Sequence, residues 1–278
     1  NGANSSFINR LLDPDTDSSF LASSPHEKLK NEKKDIPLPG NIFHNRANSK
    51  GMDVTEMENL EAVNKKIIEY KSDSVNAVSI YNKRKENNSS RVIIKSLSNN
   101  SEIGSVTFDD ITSLEDILNI NNSHDWQNVS VLEKTKVLMN IANEIEANPY
   151  QLIYYLMNEA GKTIKNAVDE IREAIDFLRY YSNQMIEIDQ KDSLLEGPTG
   201  EINNLFYSAK GHFLCVSPWN FPVAILIGQI SAALVTGNKV TVKPSEHTSI
   251  LGFLVTKIFH KNGVPVNSLQ LVLGDGKY

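Results

Sequence analysis

The amino-acid sequence predicts an α/β fold, a Rossmann-like parallel sheet covered by helices, and three observations lead there. The first is a change of period. After Gly197-Pro198-Thr199-Gly200, short apolar runs at residues 211–216, 238–242 and 269–273 alternate with amphipathic stretches at 223–235 and 248–260. Runs of this kind suit strands, and a helix between each pair supplies the crossover that parallel strands need. The pattern β-α-β-α-β is one mononucleotide-binding half of a parallel sheet. The second observation lies upstream, where residues 113–120, 130–147, 149–159 and 167–189 carry apolar positions at helical spacing. The third is composition: 278 residues, 40% hydrophobic and 22% charged, with 14 Gly and 10 Pro. That balance can bury a sizeable core and excludes collagen-like, low-complexity and wholly disordered chains.

The elements follow in order. The first 55 residues mix turn formers with the prolines Pro14, Pro37 and Pro39 and a charged run at 27–34, and they read as a linker or wrapping arm. Residues 57–70 place Leu60, Val63, Ile67 and Ile68 on one helical face. A polar loop at 82–90 precedes two β-branched runs, 91–95 and 103–108, which suit a hairpin. In the helix over 130–147, Ser130 and Glu133 have capping-box spacing, and Val131, Leu138, Ile141 and Ile145 form the core-facing stripe. Residues 121–125, Asn-rich, read as a turn before Trp126.

Charge and cysteine usage narrow the classes. Lys and Arg number 28 against 34 Asp and Glu, a net charge of -6, with no basic stripe for nucleic acid. A single cysteine, Cys215, excludes an internal disulfide framework and a Cys-rich zinc site. The six His show no HxH, HxxxH or HExxH spacing, so no metal site is expected. No signal-peptide core or 18-residue apolar run is visible, and a cytoplasmic location without a transmembrane segment is expected. The chain opens without Met and stops just after Gly274-Asp275-Gly276, as a piece of a longer polypeptide would.

Ligands of a parallel sheet bind beyond the carboxyl ends of its strands, which directs attention to residues 217–222, 243–246 and 274–276. Glu246 stands after the second strand, where an acidic side chain accepts hydrogen bonds from a dinucleotide's ribose, and Lys243 can donate to the same sugar. No GxGxxG follows the first strand. Ser217-Pro218-Trp219-Asn220-Phe221-Pro222 stands there, a rigid turn that cannot wrap a pyrophosphate in the ordinary manner. On spacing alone, the region reads equally as an α/β turn bounded by prolines with a surface Lys and Glu.

The residues themselves add a resemblance. Pro218-Trp219-Asn220-Phe221-Pro222, followed by Gly237-Asn238 and then Lys243-Pro244-Ser245-Glu246, resembles the NAD-binding half of the aldehyde dehydrogenase superfamily. More narrowly, residues 159–163 (EAGKT), 170–181 (EIREAIDFLRYY) and 197–201 (GPTGE) are similar to the glutamate-semialdehyde dehydrogenase module of the bifunctional proline-utilization flavoproteins. Residues 1–10 resemble the tail of their proline dehydrogenase barrel, and 36–39 with 48–53 their inter-domain connection. The resemblance implies three segments: 1–25 as that tail, 26–56 as linker and 57–278 as the amino-terminal, NAD-binding part of the dehydrogenase.

Residue by residue, it implies Asn220 as the donor that steadies the oxyanion of a thiohemiacetal. Ser217, Pro218, Trp219 and Asn220 would lie along NAD, with Lys243, Ser245 and Glu246 at the adenosine ribose, and Gly276 would let the backbone approach the dinucleotide. Phe177 and Glu159 stand toward the substrate, against a core Phe and an exposed helix-end Glu as alternatives. The family's Cys nucleophile and Glu base should lie beyond Tyr278, and its FAD site upstream of Asn1, so the chain alone is expected to be inactive. Cys215, inside an apolar strand, reads as a buried, inert thiol. The resemblance further implies a small-molecule substrate, glutamate semialdehyde, and a homo-oligomeric parent. Two other readings stay open: an aldehyde dehydrogenase of different substrate, and a non-catalytic nucleotide-binding or assembly module.

Overall fold

The computed structural model describes residues 13–15, 17–24, 37–72, 74–82, 90–109, 125–190 and 194–277. The expected helix at 113–120, the motif at 1–10, the turn at 121–124 and most of the loop at 82–90 lie outside the described residues. The chain divides after Leu38 into two units. In the first, helix α1 (Ser18–Ala22) starts where Asp17 accepts the backbone N–H of Ser19 at 2.9 Å, an element not foreseen in a stretch read as extended.

In the second unit, residues 45–51 are pinned along two later helices. Asn45 donates to Glu187 at 2.6 Å, the N–H and hydroxyl of Ser49 both donate to Asp176, and the Lys50 N–H donates to Glu146. Gly51 adopts φ 70°, and a Cβ there would stand 2.7 Å from the Arg172 side chain. Glycine is the residue that fits. Helix α2 (Met57–Ile68) buries Val63 and Ile67 of its expected face, while Ile68 at its end is exposed, and it gives way to a short 3-10 turn at Glu69–Ser72.

The expected hairpin forms as β2 (Ser90–Lys95) antiparallel to β3 (Glu102–Phe108), but a further strand, β1 (Val75–Val78), runs parallel to β3 on its other side. Then come α3 (Asp125–Asn128), α4 (Val131–Ala147), α5 (Tyr150–Asn158) and the long α6 (Ile164–Gln190). Ser130 Oγ accepts the Glu133 N–H while Glu133 accepts the Ser130 N–H, so the capping box closes as its spacing predicts. A short ladder pairs β4 (Leu194–Leu195) with β5 (Asn203–Asn204).

The remainder is β6 (His212–Val216), α7 (Ala224–Val235), β7 (Lys239–Lys243), α8 (Ser249–Lys261) and β8 (Leu269–Leu271). Both strand pairs are parallel in the order β6-β7-β8, the mononucleotide-binding half that the period change predicts. The core runs from Leu138, Ile141 and Ile145 of α4 through Ile171 and Leu178 of α6 to Ile227 and Ile230 of α7, then to Val240, Val242 and Val255. Gly228 lets α6 approach α7, since a Cβ there would lie 3.2 Å from the Phe177 ring. β6 differs from its neighbours. It lies at the edge of the described sheet, and Phe213, Leu214 and Val216 are exposed while Cys215 alone of its residues is buried.

Candidate functional site

The ends of the three strands meet at one rim. Val216 is in register with Lys243, the Ser217 N–H donates to the Lys243 carbonyl at 3.3 Å, and the Val272 N–H donates to the Val242 carbonyl at 2.9 Å. The turn after β6 therefore leaves the sheet beside the exit of β7. Its ends are fixed, with Ser217, Pro222 and Val223 buried, while Trp219, Asn220 and Phe221 are exposed between them. An Asn that shapes a turn hydrogen-bonds its own backbone two residues on. Among the described residues the Asn220 amide has no such partner, which leaves its N–H groups free for a ligand.

The first turn of each crossover helix carries backbone N–H groups with no partner inside the helix. Glu170 Oε1 accepts the N–H groups of Val223 and Ala224, at 2.8 and 3.1 Å, at the start of α7. Glu159 accepts those of Ile250 and Leu251, at 2.8 and 2.9 Å, at the start of α8. Both carboxyl groups are buried. The amino terminus of α7, which would ordinarily receive a dinucleotide pyrophosphate, is thus closed from inside the protein, and that of α8 is closed in the same way. This gives a physical reason for the missing glycine fingerprint, and it corrects the reading of Glu159 as an exposed helix-end residue. No local signal marks either carboxylate, because each acts on a helix far along the chain.

Glu170 also pairs with Lys162 at 2.5 Å, and the Lys162 Nζ lies 4.2 Å from the centre of the Phe221 ring. Among the described residues Glu159 has no such cation, and burial pushes its carboxyl up to about 8, against the two backbone hydrogen bonds that favour the charged form. Phe177 stacks on Tyr181 with ring centres 6.0 Å apart, half-buried beside Arg46, Arg172 and Glu173 in a cavity of about 560 Å³. Cys215 is buried and its thiol is pushed up to about 11 by desolvation, so it holds its proton at neutral pH, as its strand context predicts.

A second cavity, of about 530 Å³, brings Trp219 and Glu246 together with Glu159, His247, Thr248 and the apolar face of β2 from Val92 to Ile94. Asn220, Lys243 and Gly276 are not on its described wall. Ser245 Oγ accepts the His247 N–H at 3.3 Å and starts the 3-10 turn Glu246–Thr248 that presents Glu246. Gly276 has no atom within 4 Å of where a Cβ would stand. Two buried hydroxyls, Ser217 Oγ and Thr248 Oγ1, lack a hydrogen-bond partner. What the rim offers a ligand is the half-buried Glu246 carboxylate as acceptor, with the half-buried Lys243 ammonium and the exposed Asn220 amide as donors. The donors and acceptors present thus fit a dinucleotide. Among the described residues, no group of three or more His, Cys, Asp or Glu could hold a metal ion, and no helix is long and apolar enough to cross a membrane.

A model of the aldehyde dehydrogenase family matches residues 85–278, the segment that contains this rim. The chain belongs to the aldehyde dehydrogenase family. Over its whole length it is 31% identical to the bifunctional protein PutA of Escherichia coli K12, of which it covers 21%. Over 54% of its length it is 37% identical to 1-pyrroline-5-carboxylate dehydrogenase 1 of Halalkalibacterium halodurans, covering 29% of that protein. The chain spans about a fifth of the length of the bifunctional relatives. Among solved structures, proline utilization A from Bdellovibrio bacteriovorus, inactivated by N-propargylglycine, superposes with a TM-score of 0.78 at 26% identity, over 99% of this chain and 29% of that one. A variant 1-pyrroline-5-carboxylate dehydrogenase of Thermus thermophilus shares the fold, with a TM-score of 0.77 at 24% identity over 85% of this chain and 46% of that one. The family resemblance read from the turn and strand-end motifs is therefore established.

Proposed function

We propose that this chain is the seam of a bifunctional proline-catabolic enzyme whose dehydrogenase module oxidises L-glutamate γ-semialdehyde, the open form of 1-pyrroline-5-carboxylate, to glutamate. Residues 1–25 close a proline dehydrogenase domain that uses FAD, 26–56 connect, and 57–278 begin the NAD-dependent module. The alignment to bifunctional relatives across the whole chain supports this, where the single-function relative of Halalkalibacterium halodurans aligns with 54% of it. The parent is proposed to be cytoplasmic and homo-oligomeric, with a small-molecule substrate and no nucleic-acid contact through this segment.

Each residue has a part that its position supports. Lys243 donates to the adenosine ribose and Glu246 accepts from it, with the Ser245 hydroxyl beside them. Ser217, Pro218 and Trp219 flank the cofactor at the exit of β6, and Gly276 leaves space for it. NAD held by these residues would supply the acceptor for a hydride from the substrate carbon. Asn220 donates its amide N–H to the substrate oxygen as negative charge gathers there, and a donor already aimed at that oxygen lowers the barrier without reorganising. Cys215 is not the nucleophile, being buried and protonated at neutral pH. Nucleophile and base are supplied from outside residues 1–278, and the chain alone is inactive.

The observation that carries this reading is the unengaged Asn220 amide on a turn fixed at both ends. In an active polypeptide carrying this chain, Asn220→Ala lowers kcat by on the order of 10²-fold or more and leaves Tm and NAD affinity in place. A fall in Tm with unchanged kcat per folded molecule would reject the assignment. Calorimetry separates the cofactor part: Glu246→Ala weakens NAD by about 1–3 kcal/mol, and unchanged affinity rejects the ribose contact.

A further inference from the structure

We infer that Glu170, in its ion pair with Lys162, is a positioning residue for the turn that carries Asn220. The inference rests on the oxyanion role proposed for Asn220, and its test reads the turn separately from that role.

The argument starts from what α7 lacks. Its N-cap is Val223, preceded by Pro222 and Phe221, and none of these side chains carries an oxygen to cap the first turn. The direction in which the chain leaves the Asn220 turn is therefore not set locally. A carboxylate from the first half of α6 sets it instead, through the Val223 and Ala224 N–H groups. Oε2 of the same carboxylate holds Lys162, whose ammonium faces the Phe221 ring. Phe221, Val223 and Ala224 thus answer to a single buried pair, and Asn220 is the residue next to Phe221.

The pair is itself rigid. Glu170 lies in a buried stretch of α6, and its side chain is 0% exposed. Lys162 follows Gly161, whose φ of 69° turns the chain out of α5, and the Lys162 N–H donates to the Leu156 carbonyl at 3.0 Å. The Lys162 side chain is 12% exposed and that of Glu170 is 0% exposed, and the pair resists separation because it would leave the buried carboxyl without its cation. At the other end of the turn, Ser217 is bonded to the Lys243 carbonyl. Between these anchors the backbone that carries Asn220 is held at both ends, while the amide makes no bond of its own among the described residues. Glu170 touches none of the reacting atoms and acts through the turn.

The two tryptophans make the test. Trp219 precedes Asn220 on the turn, while Trp126 donates its indole N–H to the Leu234 carbonyl at the far end of α7. The full chain is labelled with 5-fluorotryptophan and read by fluorine NMR. Glu170→Ala moves or broadens the Trp219 signal and leaves that of Trp126 in place, and Glu170→Gln, which keeps an acceptor for both N–H groups, returns Trp219 toward its original position. An unmoved Trp219 signal in the Ala variant overturns the inference, and so do equal shifts of both signals. If Glu170→Ala does not fold, Lys162→Gln is read the same way, with a Trp219-only change expected and an unmoved signal overturning the inference. In an active polypeptide carrying this chain, Glu170→Ala lowers kcat by ~10²-fold, with the KM for NAD held within a factor of about two. Displacement of Trp219 with kcat unchanged leaves the turn-positioning intact and removes Asn220 from the oxyanion role.

Discussion

The first turns of α7 and α8 present the same unpartnered N–H groups, and each is met by a glutamate from an earlier helix, yet the two carboxyl groups live differently. Glu170 has Lys162 against it and takes part in a charged cluster that reaches Phe221. Among the described residues Glu159 has two backbone donors and no cation, so desolvation dominates and its proton is held up to about pH 8. A helix amino terminus by itself does not keep a buried carboxylate ionised. The difference follows what each helix start supports: α7 follows the turn with Asn220, whereas Glu159 and Thr248 line the cavity that Glu246 faces.

Three experiments break or sharpen this contrast. Lys162→Met should have the largest effect, about 1.5–3 kcal/mol in urea unfolding, because it removes the charged partner of the buried Glu170. A cost under about 1 kcal/mol would mean that the two helix starts are equivalent after all. The second experiment uses pH. The Glu159 carboxyl titrates near 4.5 when unfolded and near 8 when folded, so between these values the folded protein holds a proton that the unfolded chain has released. The contribution is complete below the lower value and is lost as pH rises through the upper one. Its slope reaches at most about 1.4 kcal/mol per pH unit. Unfolding the natural chain and Glu159→Gln across this window, and subtracting, cancels every other titrating group; a flat difference would place the Glu159 proton elsewhere.

The smallest effect belongs to a cap of local origin. Ser130→Ala should cost about 1 kcal/mol by thermal unfolding, since it removes an acceptor at the start of α4 that water can partly replace. A loss as large as that of Lys162→Met would show that local and remote caps cannot be ranked by burial.

These caps also show how much could be read in advance. The Ser130–Glu133 box lies within four consecutive residues, and its spacing is its geometry. The caps from Glu159 and Glu170 span 91 and 53 residues, and nothing within either helix announces them. Strand β1 was missed for the same reason: Val75–Val78 becomes a strand through pairing with β3, and its own pattern is weak. Likewise β6 reads as apolar as β7, but its place at the edge of the described sheet leaves Phe213, Leu214 and Val216 exposed.

From its sequence alone this protein declares its helices α2 and α4 to α8, the order β-α-β-α-β, and the strand-end positions of Asn220, Lys243 and Glu246. Those properties depend on periods of two to four residues and on the rule that parallel sheets bind ligands at their carboxyl ends. Only the tertiary structure decides that both helix amino termini are closed by buried glutamates, that one of these is charge-paired and the other protonated, and that the Asn220 turn is held from α6. Burial and the supply of a counter-charge are set by residues brought together from distant parts of the chain, and no local period encodes them.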